Sequence, residues 1–184
     1  MDKIYILVSQ SGTTVAKFFK FFTKKPYNHV SVSDDLKEFH SFCRTYIHSP
    51  IPATFNKEVT TVGVWGHMKH IPCELYELEV TEEQKAVFDG IIDEFRKNRK
   101  KYAYNIIGIA ALYWGINWKR ENKFLCSQFC AHVLDKMGIK LNKPVFLHIP
   151  EDFRHIEDFK LVYEGNLKDY EMPSVNYALE ILPQ

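Results

Sequence analysis

Residues 121–138 read ENKFLCSQFCAHVLDKMG, and the role of the other segments depends on what this one forms. Gly138 stands where a helix commonly ends. The apolar residues before it recur with the spacing of one buried helical face, at Phe129, Cys130, Val133, Leu134 and Met137. The pattern therefore predicts a buried helix whose first turn contains Cys126.

The position of Cys126 in that first turn has chemical consequences. Unpaired backbone N–H groups and the positive end of the helix dipole favour a thiolate there and can hold an oxyanion. A free cysteine is also commonly a small buried apolar residue, and this is how we interpret Cys130, which faces inward one turn later. Cys126 is therefore a candidate nucleophile that needs a histidine partner from elsewhere in the chain.

The size and composition of the chain indicate one domain. It has 184 residues, of which 46% are hydrophobic and 15% aromatic, enough for one sizeable core and too few for two. We expect a single domain over residues 1–184, with a core of about 3–165 and a tail over 166–184. Because 24 Lys and Arg face 23 Asp and Glu, the net charge is +1, and no overall field favours nucleic acid as a partner.

The cysteine pattern and the apolar runs bear on location. The four cysteines, Cys43, Cys73, Cys126 and Cys130, lack the density and spacing of a disulfide framework. No signal-peptide pattern opens the sequence, and the longest apolar run, 106–116, is shorter than the roughly 20 residues that cross a bilayer. We expect a cytoplasmic location, and the sequence favours no particular oligomeric state.

A hairpin with two histidines follows the first strand. Residues 3–9 are β-branched and aliphatic and predict a strand, and residues 15–25 interleave Phe and Lys in a short amphipathic helix. We expect that helix to pack on the core, with weak contact to a membrane surface as the alternative. Strict alternation from His29 predicts a half-buried strand over 29–33, and His40 lies in the returning strand.

The middle and the end of the chain carry weaker signals. Residues 48–71 are predicted as a loop with short β-rich pieces near 59–65, and whether this loop is a lid is left open. Residues 72–80 alternate as a strand, and the capping box from Thr81 to Gln84 predicts a helix. A second core helix is expected from about Asn105. A strand-like piece at 139–141, a strand near 159–163 and a loosely held tail from 166 complete the prediction.

A metal site is the first alternative to a nucleophilic cysteine. His67, His70 and Cys73 are spaced by three residues, and Cys126 with Cys130 could complete a ligand set. Structural zinc sites, however, usually keep two residues between paired cysteines, and Pro72 interrupts any helix that would align the first three residues. We therefore favour a nucleophilic cysteine over a zinc site.

Five segments together resemble a known family: ILVSQSGT at 6–13, YNHVSVS at 27–33, HSF at 40–42, FLCSQFCAHVL at 124–134 and PEDF at 150–153. They are similar to the circularly permuted papain-like cysteine hydrolases of the NlpC-type peptidase superfamily. Within it they resemble the YiiX-like and YycO-like branch, which is related to the lecithin–retinol acyltransferase group. The resemblance covers residues 3 to about 163. It implies an α+β papain-like fold in which an antiparallel sheet packs against helices, with the cysteine helix in the middle.

The resemblance also implies the catalytic residues. The family's cysteine and histidine carry over to Cys126 and His29, in the chain order that the permutation requires. The third, orienting residue is expected late in the second hairpin strand, at His40 or Ser41. We favour His40 because an imidazole accepts a ring N–H better than a hydroxyl does. Cys126, activated by His29, would attack a carbonyl without any metal or organic cofactor.

Amides, thioesters and esters all suit a Cys–His site. We expect an amidase or peptidase that acts on a small peptide, an amide or an isopeptide, because a cell-wall substrate would require secretion. A lipid thioesterase or acyltransferase is the alternative, favoured by residues 15–25. A binding module that keeps the fold without catalysis is a further hypothesis, since a fold does not fix a function.

Overall fold

The computed structural model describes residues 2–10, 26–46 and 53–170. The amphipathic helix expected over 15–25, with its membrane-surface alternative, lies outside the described residues. The greater part of the expected tail, 171–184, lies outside them as well.

Strands and helices alternate irregularly along the chain, as in an α+β protein. The strands are β1 Asp2–Ser9, β2 His29–Ser33, β3 Phe39–Arg44, β4 Ala53–Glu58, β5 Pro72–Val80, β6 Ala103–Tyr104, β7 Lys123–Phe124 and β8 Lys160–Asn166. The α-helices are α1 Gly63–Gly66, α2 Glu82–Lys97, α3 Ile106–Tyr113 and α4 Cys126–Lys136. Six strands form one antiparallel sheet in the order β4-β3-β2-β1-β5-β8, and β6 pairs with β7 in parallel. The expected α+β class with an antiparallel sheet is confirmed.

Alternation of side chains gives the sheet two buried faces. Val30 and Val32 of β2 join the larger core, which includes apolar residues of α2 and α4. On the opposite face, Leu7 and Phe39 pack with Trp65 of α1 in a smaller cluster. The strand that the sequence predicts to be half-buried, β2, is therefore buried at all five positions. Its register is fixed, because a slip by one residue would exchange the two faces.

The cysteine helix and its end agree with the sequence pattern. Within α4, Phe129 and Val133 are completely buried. Gly138 adopts a φ of +78°, a left-handed conformation that glycine accepts readily, and its N–H donates to the Asp135 carbonyl at 3.0 Å. The capping box at the start of α2 is also confirmed: Gln84 N donates to Thr81 Oγ1 at 3.2 Å.

Three connecting segments differ from the prediction. The described part of 48–71 contains strand β4 at Ala53–Glu58 and helix α1 at Gly63–Gly66, whereas the sequence predicted a loop with short β-rich pieces near 59–65. Residues 139–141 form no strand. The chain also stays packed beyond Asn166, because Leu167 is buried and its N–H donates to the Ile71 carbonyl at 2.9 Å.

Helix α3 corrects the prediction of a second core helix. Its buried residues are only Gly108 and Ala111. Asn105 caps the helix by accepting the Gly108 N–H at 3.1 Å, and a Cβ at position 108 would collide with the Asn105 side chain. Of the large apolar side chains of the helix, Ile106, Ile107 and Tyr113 are exposed, whereas Ile109 and Leu112 are partly buried. Among the described helices, none has the length and apolar character needed to cross a bilayer.

Candidate active site

Cys126 is the first residue of α4, and its side chain is buried. Leu125 precedes it at the N-cap position and makes no side-chain capping bond. The N–H groups of a first helical turn have no acceptor within their own helix, and a leucine side chain cannot supply one. The thiol therefore lies at the positive end of the helix, beside amides that can accept a developing negative charge.

Gln128 holds the backbone just before the cysteine. Its Oε1 accepts hydrogen bonds from Leu125 N at 3.0 Å and from Asn105 Nδ2 at 3.1 Å. Its Nε2 donates to the Phe146 carbonyl at 3.1 Å. Because this amide is buried and bonded at both ends, it fixes the entry of the chain into α4 and hence the position of Cys126.

His29 opens β2 and lies between two partners. Its Nε2 is 2.8 Å from Oε2 of Glu58, the last residue of β4. The Cys126 thiol is a second hydrogen-bond partner of the imidazole. Since Nε2 faces the carboxylate, Nδ1 is the ring nitrogen that remains for the thiol. The Trp65 ring packs edge-on to the imidazole, with 6.3 Å between the ring centroids.

The surroundings of His29 favour its charged form. Burial by itself lowers the pKa of the imidazole, but the Glu58 carboxylate and the hydrogen bond with Cys126 outweigh this effect. Together they raise the pKa of His29 to about 10. At neutral pH the ring is therefore an imidazolium that donates from Nε2 to Glu58.

The side chains of Cys43 and Tyr104 border the group formed by His29, Glu58 and Cys126. Burial raises the pKa of the Cys43 thiol well above its usual value, and so does a hydrogen bond with Glu58. Burial, and after it the proximity of Cys126, likewise raise the pKa of Tyr104. Both groups therefore stay protonated, and the Tyr104 hydroxyl is a neutral donor in the vicinity of Cys126.

His40 does not hold the position expected for it. It pairs with Val32 across the β2–β3 ladder and so faces the larger core, whereas His29 lies on the other side by strand parity. Its ring stacks on Phe55 at 6.0 Å between centroids, and its Nδ1 has no hydrogen-bond partner among the described residues. The ring nitrogen of His29 that His40 was expected to hold is bonded to Glu58 instead.

Ser41, the alternative to His40, is engaged elsewhere as well. Its hydroxyl donates to the Val30 carbonyl at 2.7 Å and is completely buried. The residue that sequence reasoning missed is thus Glu58. Its strand, β4, lies at the edge of the sheet and has a single buried residue, so it lacks the alternation that marks a strand in a sequence.

The residues considered as metal ligands lie apart from one another, and Cys73, Cys130 and His67 have other contacts. Cys73 packs in the apolar cluster with Leu7, and the Cys130 thiol donates to the Val30 carbonyl at 3.6 Å. The His67 ring bonds to the Gly63 carbonyl within α1 at 2.9 Å. Across residues 2–10, 26–46 and 53–170, no three His, Cys, Asp or Glu side chains are grouped to hold a metal ion.

The site is defined by geometry alone. No protein-family model matches the chain, and no curated protein matches its sequence. The structure brings Cys126 and His29 together, adds Glu58, and leaves out His40. A thiol, an imidazole and a carboxylate in this order are the components of a nucleophilic catalytic triad.

Proposed function

We propose that the protein is a cysteine hydrolase of the permuted papain-like type. Cys126 is the nucleophile, His29 the general base and acid, and Glu58 the group that orients the imidazole. One observation carries this proposal: a continuous line of contacts runs from the Glu58 carboxylate through the His29 ring to a thiol at the start of a buried helix. His29 also precedes Cys126 in the chain, as in the permuted family that the sequence resembles.

In the first half of the reaction, the His29 imidazolium already holds the proton that Cys126 has given up, and the Cys126 thiolate attacks the substrate carbonyl carbon. The carbonyl oxygen becomes an oxyanion that accepts hydrogen bonds from first-turn N–H groups of α4. The imidazolium then gives its proton to the leaving nitrogen. The C–N bond breaks, the amine departs, and a thioester joins the acyl group to Cys126.

In the second half, His29 removes a proton from water, and the hydroxide attacks the thioester carbonyl. The C–S bond breaks, the carboxylic acid leaves, and the site returns to a Cys126 thiolate beside a protonated His29. Glu58 accepts the Nε2–H bond throughout and so keeps Nδ1 turned toward the reacting atoms. The carboxylate also stabilises the His29 imidazolium that is present at the start of each cycle and that forms again in the second half.

An amide or isopeptide of a small peptide is the leading substrate. An amine is a poor leaving group that must be protonated, and a buried, carboxylate-bound imidazolium is placed to do this. A lipid ester or thioester is the second candidate. It is favoured by the exposed apolar helix α3, whose N-cap Asn105 directly follows Tyr104.

The test uses a thiol-reactive activity probe, read by intact mass. The wild type should acquire a single fast adduct, which disappears in Cys126→Ala and becomes slow in His29→Ala. Cys130→Ala is the matched control, because this thiol lies on the same helix, is fully buried and bonds only to a backbone carbonyl. It should label like the wild type.

The opposite result replaces the proposal with the binding-module hypothesis. If the wild type labels no faster than a free thiol, the site holds no activated nucleophile. If labelling is fast and depends on His29, matched amide, ester and thioester substrates that share one acyl group will rank the bond types.

A further inference from the structure

Residues 106–118 combine an apolar composition with exposure to solvent. The segment reads IIGIAALYWGINW and contains no charged residue. Six of its large side chains are between 45% and 70% exposed: Ile106, Ile107, Tyr113, Trp114, Ile116 and Trp118. Scattered exposed apolar residues need no explanation, but a contiguous group of this size marks an interaction surface.

The orientation of α3 explains why the apolar side chains on one of its faces are exposed. Position 110 lies three or four residues from each of positions 106, 107, 113 and 114, so these five positions share one helical face, and all of them are exposed. The buried positions are Gly108 and Ala111. A surface helix normally turns its large apolar side chains inward, and this one turns its small residues inward instead.

This segment is part of a longer excursion of the chain whose two ends are hydrogen-bonded to each other. Because β6 and β7 are paired, the chain leaves and returns at the same place, and Ala103 N donates to the Asn122 carbonyl at 3.0 Å. Arg120 Nη1 donates to Asn105 Oδ1 at 3.1 Å across the two ends. We call residues 105–122 the apolar excursion.

Basic residues surround the base of the apolar excursion. Lys100 and Lys101 precede it and Lys119 belongs to its end, and all three are exposed. Between positions 99 and 123 the only acidic residue is Glu121, against six Lys and Arg. The parallel pairing of β6 with β7 brings the charges before and after the excursion to one side of the protein.

We propose that the apolar excursion docks this protein on the surface of an anionic lipid bilayer. Trp, Tyr and Ile side chains enter the boundary between headgroups and acyl chains, where aromatic residues are enriched. The lysines at the base then face anionic headgroups, which attract them. Arg120 lies with its guanidinium 5.2 Å from the Trp118 ring centroid, so that a cation and an aromatic ring meet where the apolar and basic regions join.

This pattern favours a bilayer over a second protein. The centres of protein–protein interfaces are depleted of lysine, whereas an interfacial membrane segment combines an apolar face with flanking Lys and Arg. The docking surface is also joined to the catalytic helix, because Asn105 caps α3 and bonds to Gln128 of α4. Docking would therefore bring Cys126 close to the bilayer, but it does not depend on the proposed hydrolysis.

The experiment is sedimentation with large vesicles of phosphatidylcholine alone or mixed with phosphatidylglycerol. We expect the wild type to bind the mixed vesicles more tightly and to lose binding as salt is added. Tryptophan emission gives a second measurement, because Trp65 is buried and a blue shift on binding must come from Trp114 and Trp118. Cys126→Ala should bind like the wild type, which separates docking from catalysis.

Substitutions inside and outside the apolar excursion test whether it forms the docking surface. The double variant Trp114→Ser with Trp118→Ser should reduce partitioning about tenfold or more on both vesicle types, from the loss of apolar burial. Lys119→Glu should weaken binding to the mixed vesicles only. Val62→Ser and Leu161→Ser are the controls, since both residues are exposed apolar side chains outside the excursion.

Three results would overturn the proposal. The wild type could fail to bind either kind of vesicle. The Trp double variant could bind as the wild type does. The protein could instead form a dimer in sedimentation velocity that the double variant abolishes, without vesicle binding, and the excursion would then be an interface between two copies.

Discussion

His29 and His40 lie on neighbouring strands and are both almost fully buried. The pKa values of their rings are nevertheless shifted in opposite directions. Burial lowers the pKa of both rings. For His29, a carboxylate at 2.8 Å and a thiol reverse that effect and raise the pKa to about 10. For His40, Arg96 adds to burial and the pKa stays lowered.

The difference shows that a buried histidine takes its role from the side chain it meets and not from its burial. The neighbours of each ring are set by the sheet, because strand parity places His29 and His40 on opposite faces. His29 meets Glu58 and Cys126. His40 meets the flat face of Phe55 and leaves Nδ1 without a described partner.

The largest expected effect comes from replacing His29, the proposed base, with alanine. In His29→Ala the thiol loses the group that accepts its proton, and the rate of probe labelling should fall about a hundredfold. The measurement is the pseudo-first-order rate of adduct formation by intact mass. His40→Ala provides the comparison, and an equal fall in both variants would contradict the assignment of the two histidines.

Glu58→Gln should have the next largest effect. The amide keeps the size of the side chain but removes the negative charge that holds His29 as an imidazolium, and labelling should slow about tenfold. The change should also lower the pKa of His29, which a two-dimensional NMR titration of the ring can follow. An unchanged His29 titration would show that the carboxylate does not control the ring.

The stability of the protein should depend on pH through the same pair. The folded-state pKa of His29 is raised from 6.5 to about 10, so the stabilisation is fully present below pH 6.5 and is lost as the pH rises through about 10. The free energy of unfolding in urea should fall over this interval by an amount on the order of a few kcal/mol. In Glu58→Gln the fall should be smaller, and a parallel fall in both proteins would assign it to other groups.

The smallest effect is expected for His40→Phe. The substitution keeps an aromatic ring against Phe55 and should leave the labelling rate within about twofold of the wild type. Because the folded-state pKa of His40 is lowered, the wild type should lose stability as the pH falls below 6.5, and the variant should lose less. Urea unfolding on the acid side of pH 6.5 measures this difference, which vanishes if His40 remains charged when buried.

The parts of the molecule that follow regular patterns could be predicted from the sequence. The apolar spacing of α4 and the capping box of α2 identify both helices, and Gly138 marks the end of the first. The apolar and aromatic composition of residues 102–118 predicted α3 as a core helix, and this prediction was wrong about its burial. Periodicity detects a helix with apolar residues, but it does not reveal whether the large face turns toward the protein.

Glu58 could not be predicted, for a physical reason. Its strand lies at the sheet edge, where one face is only partly covered, so its residues show little alternation. A carboxylate that ends such a strand looks like any exposed loop residue. Only the pairing of β4 with β3 places it near a histidine from another part of the chain.

The sheet topology has a consequence for synthesis on the ribosome. The contact between Val30 and Cys130, which ties α4 to β2, joins residues 100 positions apart in the chain. Strands β1 to β5 therefore leave the ribosome with their larger apolar face uncovered, and closure over so long a separation is slow. Until α4 docks, Cys126 has no base beside it. Under the proposed mechanism, a nascent or partly unfolded chain therefore carries an ordinary thiol, and an activated thiol forms only in the folded domain.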